Sequence, residues 1–570
     1  MATAAFAAIG FFLMPWLARV GGYPATATAL IGISVPLAAV FVGLRGWAVA
    51  RLLGAHGSGE LLARSYGSGV AILAGVIMAT SATILLALVL VTAASLVEAM
   101  SGGAVTHPVA LNLAALVLLL TGAPAGIRAA GKLARLHTWL VVLGAGAGII
   151  LVVVRLGGFD AVVDALAALA RTLDWGSTDG RGGGDYNLAL AVAGGVGSGT
   201  VWTGTTILSV QIAVGGTLLV LVWVPWALAS ADARRFARQT GFGGALGSGL
   251  LLAVTFVLGL AAMTSYPASV GLPYVPFSGQ TPAANEIGSL VNALAGERLW
   301  GAAVIFGLGC AAALHALSLS LLGSAVGALR PIWMRRATGP RGPAREVGTS
   351  QGAAAGIAIG AALIALLPSE DLAIASTLAV SMAPLATLPI AAACWFPKIT
   401  RSGILAGLAL GAAVVGLESL AADVAVHAAI SGLLTASVAA LAISLARPTD
   451  AMRGLRSEIQ HTLVEILARP SDERGPDNGR RVLSLFAILL WTFFAVGPGI
   501  VIGNDLFGAP NLAPGRWDFP IPSIAVWQLL SWASGIGLIW LLGRNYGLAD
   551  LTRAQLDQIS ARMDRKSGDR

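Results

Sequence analysis

Fourteen apolar runs divide the chain, at about 3–20, 25–44, 69–99, 108–125, 137–155, 207–229, 243–264, 299–329, 350–368, 373–396, 403–421, 424–446, 482–503 and 522–543. A helix needs about 20 apolar residues to cross the hydrocarbon core of a bilayer. Backbone polar groups must be paired inside the segment when no water is available, so runs of this length predict helices. The pattern therefore predicts an all-α, polytopic membrane protein of about 14 transmembrane helices.

The positive charge is distributed unevenly among the gaps. Of 35 Lys and Arg residues, 29 fall in alternate gaps, at 44–66, 126–137, 230–240, 330–349, 397–402 and 447–481 and in the tail after 543. The remaining gaps hold Arg19, Arg155, Arg171, Arg181, Arg298 and Arg516. The positive-inside rule places the basic side in the cytoplasm. The expectation is an integral plasma (inner) membrane protein with both termini cytoplasmic.

This topology accounts for the pI near 10.1. The basic residues are scattered over short loops, so no nucleic-acid partner is expected, and the lipid bilayer is the expected surroundings. Charged residues are 11% of the chain, which leaves no room for a large soluble domain. Cys310 and Cys394 both lie inside apolar runs and form neither a metal-site spacing nor a disulfide framework. No basic region precedes the first apolar run, so no cleavable signal peptide is read. The long cytoplasmic piece is the linker 447–481, whose stretch "RPSDERGPDNGRR" (469–481) reads as solvated.

Two of the runs are unusually long, the third and the eighth, and each stands third in a block of five. Because five is odd, the second block enters the membrane in the opposite sense to the first, the arrangement of inverted-repeat secondary transporters. In that architecture the first helix of each repeat is broken near the midplane. Gly10 and Pro15 in the first run, and Gly215-Gly216 in the sixth, are the residues able to interrupt a helix there. Glycine also serves close helix packing in membranes, and this chain holds 73 of them. The division that follows is a first five-helix repeat over 1–155, an external loop over 156–206 and a second repeat over 207–396. Two further helices over 397–446, the linker 447–481, a two-helix hairpin over 482–543 and a cytoplasmic tail over 544–570 complete it.

Several stretches resemble one family. "GELLARSYGS" (59–68) is similar to the cytoplasmic stretch after the second core helix of the sodium:solute symporters, and "GIRAAGKLARLHTWLVV" (126–142) to the start of their fifth. "ALASADARRFARQTG" (227–241) resembles the basic end of the sixth, and "CAAALHALSLSLLGSAVGAL" (310–329) the eighth. "CWFPKITRSGILAGLALG" (394–411) resembles the turn from the tenth to the eleventh. The likeness covers roughly residues 1–440 and is greatest to the monocarboxylate (acetate-permease-like) branch. It implies a five-plus-five inverted-repeat (LeuT-like) core with a central substrate site and a sodium site beside it. "FAVGPGIVIGNDLFG" (494–508) and "FPIPSIAVWQLLSW" (519–532) resemble a small accessory membrane piece of some such symporters, here fused.

The same resemblance supplies candidate residues. Around the expected break of the sixth run, Ser209, Gln211, Gly215, Gly216 and Thr217 are the substrate-binding candidates; satisfying freed backbone groups is the alternative role for the polar ones. The family's sodium ligands on the eighth helix, an Ala and a Ser-Thr pair, align with Ala312 and with His315 and Ala316. Both hydroxyls are thus missing, and Ser318 and Ser320 lie on other faces of the helix. The coupling ion is therefore sodium or a proton. No other cofactor is expected. An ionisable group at mid-membrane is a functional candidate by default, and histidine titrates near neutrality. His315 is read as a proton carrier, a structural imidazole bonded to a neighbouring helix, or a substrate contact. Trp223 and Trp226 are read as interface anchors, with an aromatic lid as the alternative. Pro384 and Pro389 kink the tenth run. The family's half-helix before the first break has no counterpart after Met1, so the true start lies upstream or that part of the site is lost.

The function expected is symport of a small solute, a monocarboxylate by resemblance, through alternating access. A non-transporting sensor or accessory protein on the same fold is the alternative, favoured by the missing hydroxyls. A membrane-embedded glycan transferase or polymerase fits poorly, because the external loops are short and poor in paired carboxylates.

Overall fold

A computed structural model describes residues 2–13, 23–124, 126–155, 158, 203–230, 236–249 in part, 300–334, 342–419, 427–448, 450–468, 478–504, 506–507 and 523–545. Among them every regular element is a helix, and nine helices are long and apolar enough to cross a membrane. Most of 156–206 and of the seventh run at 243–264, with Pro15, Asp232 and the tail after 545, lies outside the described residues.

Helix α1 covers Ala2–Ala8 and runs into a wide π-helical turn at Ile9–Leu13. Helix α2 is Ala27–Leu52, preceded by a 3₁₀ stretch that starts at Tyr23. The short α3 (Ser58–Tyr66) leads into α4 (Ser68–Met100), followed by α5 (His107–Gly122) and α6 (Gly126–Arg155). Helix α7 (Gly204–Ala229) opens the second block, which continues with α8 (Trp300–Met334), α9 (Gly342–Ile364) and α10 (Ser369–Trp395). Then come α11 (Arg401–Ser419), α12 (Ala428–Ala446), α13 (Arg453–Ala468), α14 (Asn478–Ala495) and α15 (Ser523–Asn545).

The two long runs are the long helices, with 33 residues in α4 and 35 in α8. They pack along each other, and α8 also carries α6 and α1 on its flanks. Small residues let these backbones approach. A Cβ on Gly309 of α8 would lie 2.7 Å from Gly144 Cα of α6, closer than any side chain allows. The α11–α12 pair is built alike, with Gly403, Gly407 and Gly411 set against backbone carbonyls of α12. This is the way helices associate in lipid, where apolar side chains gain little by leaving one another's company for hydrocarbon. The α14–α15 hairpin is tied by Trp491 Nε1 to Ser531 O (2.8 Å) and Trp527 Nε1 to Phe494 O (2.9 Å). It packs on α2, where Gly535 meets Ile33.

The basic gaps converge on one end of the bundle. Trp47 and Arg51 donate to Ser230 O at 2.8 and 3.0 Å. Arg330 pairs with Glu60 at 2.8 Å and with Glu346. Gln351 reaches Pro124 O at 2.8 Å. These contacts join 44–66 to 230–240 and to 330–349, and bring α9 to the end of α5. The gap 126–137 is not a loop: α6 begins at Gly126, so Lys132, Arg135 and His137 are helical. Within 447–481, Arg453–Ala468 is a helix docked on the bundle, and 469–477 lie outside the described residues.

Candidate functional site

Departures from regular α-helix concentrate where α2, α7 and α10 meet. Helix α7 contains two wide π-helical turns, Gln211–Gly215 and Leu219–Trp223, and α2 contains one at Ala39–Gly43. Helix α10 tightens into a 3₁₀ turn at Ala383–Ala386. Pro384 explains the last: it has no N–H, so the Val380 carbonyl loses its intrahelical partner. The Thr217 hydroxyl of α7 lies 3.1 Å from Val380 O, with Ala213 O nearer at 2.7 Å. Wide turns of this kind recur at functional sites because they leave backbone groups available and re-aim side chains.

The expected break at Gly215-Gly216 is replaced by winding. Both residues keep right-handed helical backbone, with φ and ψ of −64° and −42° at Gly215 and −63° and −40° at Gly216. Their missing side chains admit neighbours: a Cβ on Gly215 would sit 3.2 Å from Val35, and one on Gly216 3.0 Å from Pro384. A π-helical turn needs no helix-breaking residue, so the glycines mark close approach more than interruption. Gln211, 5% exposed, accepts from Ser34 Oγ at 2.7 Å and donates toward Ala27 O and Thr28 O at 3.3 and 3.2 Å. Those carbonyls belong to the 3₁₀ start of α2. Ser209 donates to Thr205 O, one turn back, at 2.8 Å. The five substrate candidates are thus brought together on one helix, against α2 and α10.

Trp223 does not face outward from the bundle. It is 3% exposed and meets Phe6 of α1 edge to face, with ring centroids 5.8 Å apart. Trp226 donates to Ser320 Oγ of α8 at 3.3 Å. Both tie α7 to neighbouring helices, Trp223 fully buried and Trp226 half-buried.

On α8, Ala312 and Ala316 are buried and present only methyl groups. Ser318 and Ser320 donate to the carbonyls of Leu314 and Ala316 at 2.9 and 2.8 Å. His315 faces α5 and α6. Its Nε2 is 3.0 Å from Thr121 Oγ1, and its Nδ1 is 3.1 Å from Nε2 of His137. Neither partner is the helix carbonyl that a structural imidazole would ordinarily take. His137 escaped the sequence reading because it stands at the border of a basic gap and an apolar run. A second histidine at such a border, among only six in the chain, was the available signal.

A second buried polar cluster closes the basic end. Arg456 of α13 is 3% exposed and donates to Ser65 O (2.8 Å), Ile399 O (3.0 Å) and Asp450 Oδ2 (2.8 Å), with its guanidinium 4.5 Å over the Tyr66 ring. One turn on, Gln460 donates to Cys394 O at 2.8 Å and accepts from Arg45 of α2. Arg45 also donates to Cys394 O at 2.7 Å and lies 4.0 Å over Trp395. Helix α13 therefore clamps α2, α3 and the α10–α11 junction together. Burial pushes the Asp450 carboxyl toward protonation. The N–H of Met452, the Arg456 guanidinium and the N–H of Arg401 outweigh that, and hold it below the usual carboxylate range. Burial pushes the Tyr66 phenol the other way, well up, against the opposing charge of Arg456.

No family model and no curated protein matches the chain. The fold does match solved structures. A structure described as the substrate-bound outward-open state of a Na+-coupled sialic acid symporter, with a novel Na+-site, is similar at a TM-score of 0.59. It shares 15% identity, over 78% of this chain and 89% of that one. MhsT in complex with L-phenylalanine is more distant, at a TM-score of 0.36 and 16% identity over 78% and 97% of the two chains. The chain thus has the fold of a LeuT-like, polytopic, all-α membrane protein.

Proposed function

We propose that this protein is a secondary active transporter that carries a small solute by alternating access, with its basic end in the cytoplasm. The observation that supports this best is the meeting of the irregular turns of α2, α7 and α10 inside a LeuT-like bundle. Non-helical backbone at membrane depth is tolerated where it is buried in protein or lines a solute path. The fold similarity to a Na+-coupled sialic acid symporter supports the same class. The sequence resemblance favours the monocarboxylate branch, with Ser209, Gln211, Gly215, Gly216 and Thr217 at the substrate. Sodium coupling at Ala312 and Ala316 lacks its oxygen ligands in α8, which favours a proton.

Purified protein in liposomes tests this reading. Radiolabelled monocarboxylates of two to four carbons are expected to accumulate above equilibrium when an inward proton gradient is imposed, and an uncoupler should abolish the accumulation. Accumulation driven by sodium alone would move the coupling assignment. Uptake that only equilibrates under every gradient would refute active transport.

A further inference from the structure

We infer that His137 and His315 together form one proton-binding site, loaded at Nδ1 of His137, that links the two halves of the transporter; this rests on the transporter reading above. The Thr121 hydroxyl has a single proton, and its oxygen is 2.6 Å from Val117 O, so that proton is committed there. His315 Nε2, 3.0 Å away, must then donate to Thr121 Oγ1. A neutral His315 that carries its proton on Nε2 has a bare Nδ1. That atom accepts from Nε2 of His137 at 3.1 Å, with the rings nearly perpendicular at 89°. His137 Nδ1 is left bare, buried and without a partner in a residue 4% exposed. The reversed chain would leave a buried N–H orphaned at the same atom, which proteins avoid more strictly than an unused acceptor.

Two rings and one hydroxyl are thus aligned in one direction, with a single vacant lone pair at the end. A proton bound at Nδ1 of His137 can pass along the chain as Nε2–H of His137 moves to Nδ1 of His315. A second proton finds no vacant position between the rings and meets a like charge at 3.1 Å. The capacity is therefore one proton. The N-terminal ammonium acts on His137 as a like charge to its imidazolium, and the charged side chains among the described residues around the pair are exposed, distant or already paired. Lys132 and Arg135 on α6 are exposed, and Glu98 of α4 pairs with His107 of α5 at 3.3 Å, far along both helices. Arg330 of α8 is held by Glu60 and Glu346, and Ala2–Ala8 of α1 carries no ionisable side chain. Thr121 and His137 belong to the first five-helix repeat and His315 to the second. Charging the pair therefore changes a bond across the interface between the repeats, where a proton can bias their relative position.

The test has two arms. In the first, full-length protein labelled with ¹⁵N-histidine is reconstituted in liposomes and followed by solid-state NMR from pH 4 to 9. Signals absent from both His137→Gln and His315→Gln should titrate together in wild type, with one proton taken up by the pair. Two independent titrations, or none in that range, would overturn the site whether or not the protein transports. In the second arm, either substitution should reduce proton-driven accumulation about tenfold or more. Thr121→Val, which keeps both rings, should show a smaller loss. Proton-driven accumulation unchanged in His137→Gln would overturn the proposal. A chain that titrates as one pair yet moves no solute would keep the proton site and refute the transporter reading instead.

Discussion

Replacing Arg456 by Met is expected to cost about 1–3 kcal/mol of stability, because three acceptors lose their charged donor. The side chain of Asp450 is 6% exposed and that of Arg456 3%. Methionine keeps the length of the arm and removes every donor, so Ser65 O and Ile399 O lose partners as well. Arg456→Lys should recover only part of the loss, since an ammonium cannot span three acceptors in the fixed fork of a guanidinium. The cost should also depend on pH. The folded-state value of Asp450 is depressed. Its contribution is then fully present above the unfolded carboxylate value and is lost as pH falls through the lower, folded one. Wild type and Asp450→Asn should therefore differ most near neutrality and converge in strong acid. Cys310 and Cys394 are fully buried, so the rate at which a thiol dye labels them on heating reports unfolding directly. Equal labelling profiles for wild type and Arg456→Met would show that α13 is not a clamp.

Gly309→Val should be strongly damaging. The added Cβ would lie 2.7 Å from Gly144 Cα and 2.8 Å from Leu140 O. Both neighbours are backbone, so no side chain can turn aside and α6 must move off α8. Overpacking of this kind costs about 1–3 kcal/mol or more. Here it should also draw His137 away from His315, now 3.1 Å apart. Gly327→Ala on the same helix is the control, because a Cβ there meets nothing within 4 Å. That variant should be neutral or slightly stabilised, as alanine favours helix over glycine by up to ~1 kcal/mol. Size-exclusion profiles of the two variants give the comparison, with a monodisperse peak expected for Gly327→Ala alone.

These two sites also show what could be read from the chain and what could not. The long helices α4 and α8 and the alternation of basic gaps were legible, because hydropathy and charge are summed over many residues and survive local error. Helix α13 was not: its polar composition resembles a solvated linker, and only tertiary contacts reveal that Arg456 and Gln460 point into the protein. The substrate candidates lie together on α7, and the break expected at Gly215-Gly216 is instead a pair of wide turns, which carry no residue signature. His315 stood out as an ionisable group in an apolar run. His137 did not, because its neighbours Lys132 and Arg135 made the stretch look like loop. Pairing between α5, α6 and α8 is a property of the packed bundle, and no local pattern encodes it.

Alternating access can be examined without knowing the solute. Thr217 is 4% exposed, at the junction of α7 with α10. In protein lacking Cys310 and Cys394, Thr217→Cys is labelled with a membrane-impermeant thiol reagent added to one face of the liposome or the other. The account predicts labelling from each side in turn, with an imposed ion gradient that raises one rate as it lowers the other. Labelling from one side alone under all gradients, or from neither, would contradict it.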